Sequence, residues 1–171
     1  MSDLAGNPYA SIVELSKAYL NKSVSPSEVT KAQLARIDIL DAKLGSYQTI
    51  YSDEALAAAR AADKAYTEDA RLGPFHGIPF ALKDIYELKG QITTCGSYEM
   101  RQRISIETGT VVRRLLDVGG IAIGKTKTVE CALGGWEQMS TWEHRGTLGI
   151  LSIQEFQEDL PQVLVLQWQV A

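Results

Sequence analysis

The chain is poor in the residues that build metal and disulfide frameworks. Among its 171 residues are two cysteines, Cys95 and Cys131, and two histidines, His76 and His144. Two cysteines so placed fit neither a disulfide scaffold nor a zinc-ligand spacing, and both are expected to be reduced, buried thiols. Without clustered His and Cys there is no candidate metal site. A Ser-His-Asp triad needs a base histidine and a supporting carboxylate, and neither histidine has that context. His76 falls in a turn, where hydrogen bonding is its expected role. Positive charge is not in excess either. A net charge of -4 gives no electrostatic reason to expect nucleic acid or an anionic membrane as a partner. No apolar run is long enough to span a bilayer. The opening MSDLAGNPYA lacks the basic and apolar regions of a signal peptide, so a cytoplasmic location is the default expectation.

What the chain does have is the composition of a soluble globular domain, with 45% hydrophobic and 22% charged residues. Ile12, Leu15 and Tyr19 share one face of a helix predicted over residues 11–20. Ser25-Pro26-Ser27-Glu28 is a capping box with proline at the first helical position. The helix it opens carries Val29, Leu34, Ile37 and Leu44 towards a core. Ser52 or Asp53 is expected to cap a third, alanine-rich helix from Glu54 to about Thr67. Thr108 is expected to cap a fourth, ending at Gly119-Gly120, with Val111, Val112, Leu115 and Leu116 inward. Ile121 to Ile123 reads as a short buried strand. Gly124-Lys125-Thr126 has the ending of a phosphate loop but lacks its upstream glycine, which excludes nucleotide binding. No cofactor is expected. Alternating helices and strands argue an α/β fold.

One stretch organises the rest: Gly73-Pro-Phe-His-Gly-Ile-Pro-Phe-Ala-Leu-Lys-Asp84. Gly73, Pro74, Gly77 and Pro79 supply a tight turn. Ile78, Phe80, Ala81 and Leu82 then form a short buried strand ending on Lys83-Asp84. By pattern alone such a pair is more often a solvated loop charge. A lysine delivered to the mouth of a cleft is instead desolvated, which disfavours its ammonium form and makes it usable as a base for activating a serine. Lys89-Gly90 follows as a turn, and Thr93-Thr94-Cys95-Gly96-Ser97 as a polar loop that could be an ordinary surface loop.

The segment GPFHGIPFALKDIYELKGQITTCGS resembles, without gaps, the amidase signature family's G-P-L-H-G-I-P-hydrophobic-K-D…K-G-x-x-T-T-x-G-S. ETGTVVRRLLDVGGIAIGKTKTVECALGG is similar to that family's following helix, strand and G-K-T-N-x-x-E-F-A-L-G-G. The resemblance covers roughly residues 10 to 136. It implies the N-terminal part of the amidase signature fold, a mixed β-sheet core covered by helices. It implies three segments: residues 1–70 as helices packing on the core, 71–136 as the start of that core, and 137–171 as an aberrant tail. It implies a lysine, a cis-configured serine and a nucleophilic serine that hydrolyse a small-molecule amide through an acyl-enzyme, with Lys83 at the catalytic lysine's position. Ser97 falls in a loop that lies near the family's active site and is a further site candidate. A close variant of the same core is the amidase subunit of a tRNA-dependent amidotransferase, for which a nucleic-acid substrate would enter. The oligomeric state is left open.

After Trp136 the pattern stops, and the expected glycine–serine loop with both serines is absent. No nucleophile or cis-serine is therefore assigned in this chain. The tail keeps neither helical nor strand period. Read one base out of frame, codons allowed for Gln157 to Ala171 regroup to GGSSSGSGAAVAG, which is that loop. Tryptophan has a single codon, so three places have little freedom. Trp136-Glu137 and Trp142-Glu143 force glycine, and Trp168-Gln169 forces alanine, all as the family pattern requires. A single frame change near Trp136 is the expectation, against a divergent tail with a fold of its own. The chain as written is then expected to be catalytically inert, with the Lys83 strand at an unpaired sheet edge. A reading of another class, a non-catalytic interaction fragment, rests only on the missing loop.

Overall fold

A computed structural model of the protein describes residues 4–133. The expectations placed on the tail, including its frame, lie outside the described residues. Seven main elements follow in order: α1 (Ile12–Leu20), α2 (Pro26–Leu44), β1 (Tyr47–Ile50), α3 (Ser52–Thr67), β2 (Pro79–Lys83), α4 (Thr110–Asp117) and β3 (Ile121–Thr126). The sheet order is β1-β3-β2, with β3 antiparallel to β1 and parallel to β2.

Both of the first two helices start on a capping box. Ser25 and Glu28 exchange bonds as the sequence predicts, and Ser11 with Glu14 does the same for α1. Each box satisfies two backbone donors that a helix start leaves orphaned. Gly45, left-handed at φ 57°, stops α2. Here Val29 and Ile37 are buried, while Leu34 and Leu44 are half-buried.

Three start points depart from the sequence reading. α3 begins at Ser52, so Ser52 and Asp53 lie inside its first turn. The N-cap is Tyr51, with no side-chain cap bond. Tyr51 N–H still donates to Ile123 O at 2.9 Å, so the single residue between sheet and helix extends the ladder and offers no side-chain cap. The strand β1 that precedes it was hidden because only Tyr47 of its four residues is buried, leaving no alternation to detect. α4 starts after Gly109, while the Thr108 hydroxyl accepts from Lys89 N–H at 3.1 Å instead of capping. Val112 is fully buried, whereas Val111 is about half exposed because it falls on the outer face of this short helix.

The sheet is covered on both faces. Ile37 of α2 and Ala55 and Ala59 of α3 pack against Ala81, Ile121 and Ile123. Val112, Leu115 and Leu116 of α4 pack against Phe80 and Leu82. Alternation along β2 therefore assigns Phe80 and Leu82 to one side and Ala81 to the other. Leu15, Ala18, Tyr19 and Val29 gather around Ile78 at the entrance to β2. At the turn before it, Gly77 has φ 80°, and a Cβ there would lie 2.7 Å from Pro26 Cγ. Only glycine satisfies both demands. Among the described residues no helix is long and apolar enough to cross a membrane.

Candidate active site

Strand β2 has its first four residues, Pro79 to Leu82, buried and then ends on an exposed Lys83. Its partner in the parallel ladder is Thr126. Among the described residues no side chain bonds the Lys83 ammonium. The desolvated lysine expected at this point is thus not Lys83 as it stands.

The next residue reverses direction and burial. Asp84 is 1% exposed and lies on the Leu82 side of the sheet. Its N–H donates to Thr126 O at 2.9 Å. Its Oδ2 accepts from Thr94 N–H at 3.0 Å and from the Thr94 hydroxyl at 2.5 Å. Its Oδ1 faces Lys125 Nζ at 3.2 Å, held by charge with no directed hydrogen bond. Lys125 is fully buried. It donates to Ile92 O at 2.8 Å and to the Thr93 hydroxyl, which is itself 2.7 Å from the Ser105 hydroxyl. Burial pushes the Lys125 ammonium below its ordinary range, and the Asp84 carboxylate pulls the other way. A buried pair so fully engaged fixes geometry. Its two charges face each other and leave no capacity for a substrate.

That pair anchors the loop 93–97, which is buried where an ordinary surface loop would be exposed. Thr93, Thr94 and Ser97 are each at most 6% exposed. Ser97 donates its hydroxyl to Glu130 Oε1 at 2.7 Å and does not bond Lys83. Gly96 has φ 70°, and a Cβ there would lie 2.5 Å from Thr128 O. The loop is therefore pressed against the segment leaving β3. Cys95 is half-buried and Cys131 exposed, which corrects the expectation of two buried thiols. Cys131 belongs to a short 3-10 turn, Glu130–Ala132, none of whose residues is buried.

His76 meets its expected hydrogen-bonding role. Its Nδ1 accepts from Leu72 N–H at 2.8 Å, its carbonyl accepts from the Tyr66 hydroxyl, and its ring meets Tyr66 edge-on. Burial holds its pKa below the usual value. Among the described residues no cluster of His, Cys, Asp or Glu could hold a metal ion.

Lys125 escapes the sequence reading, where it falls with the failed phosphate loop. The signal is nevertheless present: β3 runs on through Gly124, Lys125 and Thr126, and a lysine within a buried strand requires a buried partner.

Comparisons with known proteins agree on one family. The family model described as Amidase matches residues 28–142. A glutamyl-tRNA(Gln) amidotransferase subunit from Acidothermus cellulolyticus is 38% identical over 142 residues, 83% of this chain and 28% of that protein. Its counterpart in Geobacter sulfurreducens is 40% identical over 129 residues, 75% of this chain and 26% of that protein. The chain thus spans about a quarter of the length of the curated relatives it matches. The native peptide amidase of Stenotrophomonas maltophilia superposes with a TM-score of 0.67 at 29% identity, over 71% of this chain and 25% of its own. A fatty acid amide hydrolase superposes with a TM-score of 0.68 at 26% identity, over 75% and 23%.

Proposed function

The chain belongs to the amidase family, and on that premise we propose that residues 71–136 are the lysine-bearing start of a core that hydrolyses a carboxylic amide C–N bond. Residues 1–70 are its helical cover and 137–171 an out-of-frame tail. The observation that carries this reading is the placement of Lys83. It ends a buried strand, pointing away from the sheet side on which Asp84 is locked to Thr94 and Lys125. With the glycine–serine loop over it, Lys83 serves as the base that takes a proton through the cis-serine from the nucleophilic serine. That serine attacks the amide carbonyl, expels the amine and leaves an acyl-enzyme, which water hydrolyses. Backbone N–H groups of the loop hold the oxyanion, each such donor contributing about 2.7–4 kcal/mol to lowering the barrier. Ser97 lies in the neighbouring loop and supports its shape through Glu130.

The 171-residue polypeptide carries no such serine loop and is expected to show no turnover of a simple primary amide. Expression with the frame shifted after Trp136 supplies GGSSSGSG and is expected to give amide hydrolysis. Lys83→Ala in that protein should then cost roughly 10²–10⁴-fold in kcat, the usual worth of a positioned base. Turnover by the unshifted chain, or an active Lys83→Ala variant, sinks the reading. Sequencing the coding DNA from Gly134 to Gln157 checks the frame itself.

A second reading is favoured by curated relatives such as the two amidotransferase subunits at 38–40% identity. In it the same chemistry releases ammonia from glutamine. A preference for glutamine over simple aliphatic amides in the frame-shifted protein decides for it.

A further inference from the structure

The two cysteines, 36 positions apart in sequence, meet in the fold. Cys131 N–H donates to Cys95 O at 2.7 Å. One direct backbone hydrogen bond makes the two residues immediate neighbours, which is the proximity a disulfide needs, roughly 4.4–6.8 Å between Cα atoms. Two further contacts hold the same pair of segments together. Ser97 bonds Glu130, and Gly96 packs so closely on Thr128 and Val129 that no side chain fits between them. The thiols also differ in a useful way. Cys131 is exposed and open to a reagent, while Cys95 is half-buried near the Arg103 guanidinium.

We propose that Cys95 and Cys131 are a reversible modification site, closing to an internal disulfide that staples the loop 93–97 to the turn after β3. The oxidant is a low-molecular-weight disulfide of the glutathione class. The Cys131 thiolate attacks one sulfur of glutathione disulfide, forming a mixed disulfide and releasing one glutathione thiolate. The Cys95 thiolate then attacks Cys131 Sγ, forming the internal bond and releasing the second glutathione. Two thiol protons and two electrons leave the protein, and one glutathione disulfide becomes two glutathiones. Closure takes Cys95 Sγ away from Arg103, which keeps its ion pair with Glu87. The inference stands whether or not the amide chemistry above is correct.

The test equilibrates the purified 171-residue chain with mixtures of reduced and oxidised glutathione, quenches with acid, and measures the internal disulfide by mass. The effective concentration of one thiol at the other is compared between native buffer and concentrated guanidinium, where only random loop closure brings the two together. The native value is expected to exceed the denatured one by roughly tenfold or more. Gly96→Val, which drives a side chain into Thr128 O, should bring it down to the denatured value. Equal values in the two solvents overturn the proposal. So does accumulation of glutathione on Cys131 without the internal bond, or a Gly96→Val chain that closes as readily as the parent.

Discussion

The ends of β2 and β3 lie side by side, and each delivers a lysine. Leu82 pairs with Lys125 and Lys83 with Thr126, so the two lysines are one register step apart. One is exposed and without a side-chain partner among the described residues; the other is fully buried and held by three partners. The difference comes from the pleat. Lys125 faces the side that α4 and the loop 93–97 close over, and Lys83 faces the other side and is exposed there. Burial alone would make Lys125 look functional. Its set of partners instead marks it as structural, whereas Lys83 is exposed and leaves its ammonium available. A perturbed ionisable group is a site candidate only when its bonds leave capacity for a substrate.

The largest effect should come from breaking the buried pair. Lys125→Met or Asp84→Leu alone leaves an uncompensated buried charge, expected to cost about 3–5 kcal/mol. The combined variant should lose much less than the sum of the two, because the interaction is shared. Urea titration followed by far-UV circular dichroism reads this. Additive losses would mean that the two residues do not act as a pair.

A smaller effect should appear as a pH dependence. Burial lowers the Lys125 pKa from 10.5, so just below that value the folded state binds fewer protons than the unfolded chain. Stability contributed by this group therefore rises with pH through the window and is lost as pH falls. The buried tyrosines Tyr19, Tyr47 and Tyr51 have raised pKa values and act in the opposite sense above about pH 10. The parent minus Lys125→Met difference isolates the lysine. A difference that falls with pH would place the dominant influence on Asp84 instead of burial. The smallest effect belongs to the other lysine: Lys83→Met should change stability by within about 0.5 kcal/mol, as an exposed side chain does. A larger loss would show that Lys83 is already part of the packed core.

The sequence made legible whatever is encoded locally. The Ser25 capping box, the Gly-Pro turn, the apolar run of β2 and the final lysine each depend on residues within a few positions of one another. The N-cap at Tyr51 was illegible because its cause, a bond to Ile123, lies some seventy positions away. Val111 and Val112 cannot be told apart by hydropathy, since only the position of the sheet decides which faces in. Lys125 stays unassigned in the sequence because rejecting the phosphate loop leaves it without a role, and its partner Asp84 stands next to Lys83, some forty positions away. The polar loop 93–97 looked like surface because composition does not reveal that a buried carboxylate and ammonium await its hydroxyls and amides.

The order β1-β3-β2 also sets a sequence of events on the ribosome. The strand made last among the described elements is the one that both others bond, with Tyr47 and Lys83 sharing Thr126 as their partner. Helices α1 to α3 can form their own backbone bonds as they emerge, although their apolar faces wait for Ile78, Ala81, Ile121 and Ile123. The edges of β1 and β2 stay without partners until residue 126 has cleared the exit tunnel, and non-local pairing of this kind is slow. Through that interval the nascent chain exposes the unpaired edge of PFALK, the very segment that carries the lysine, and it is there that a chaperone would have most to shield.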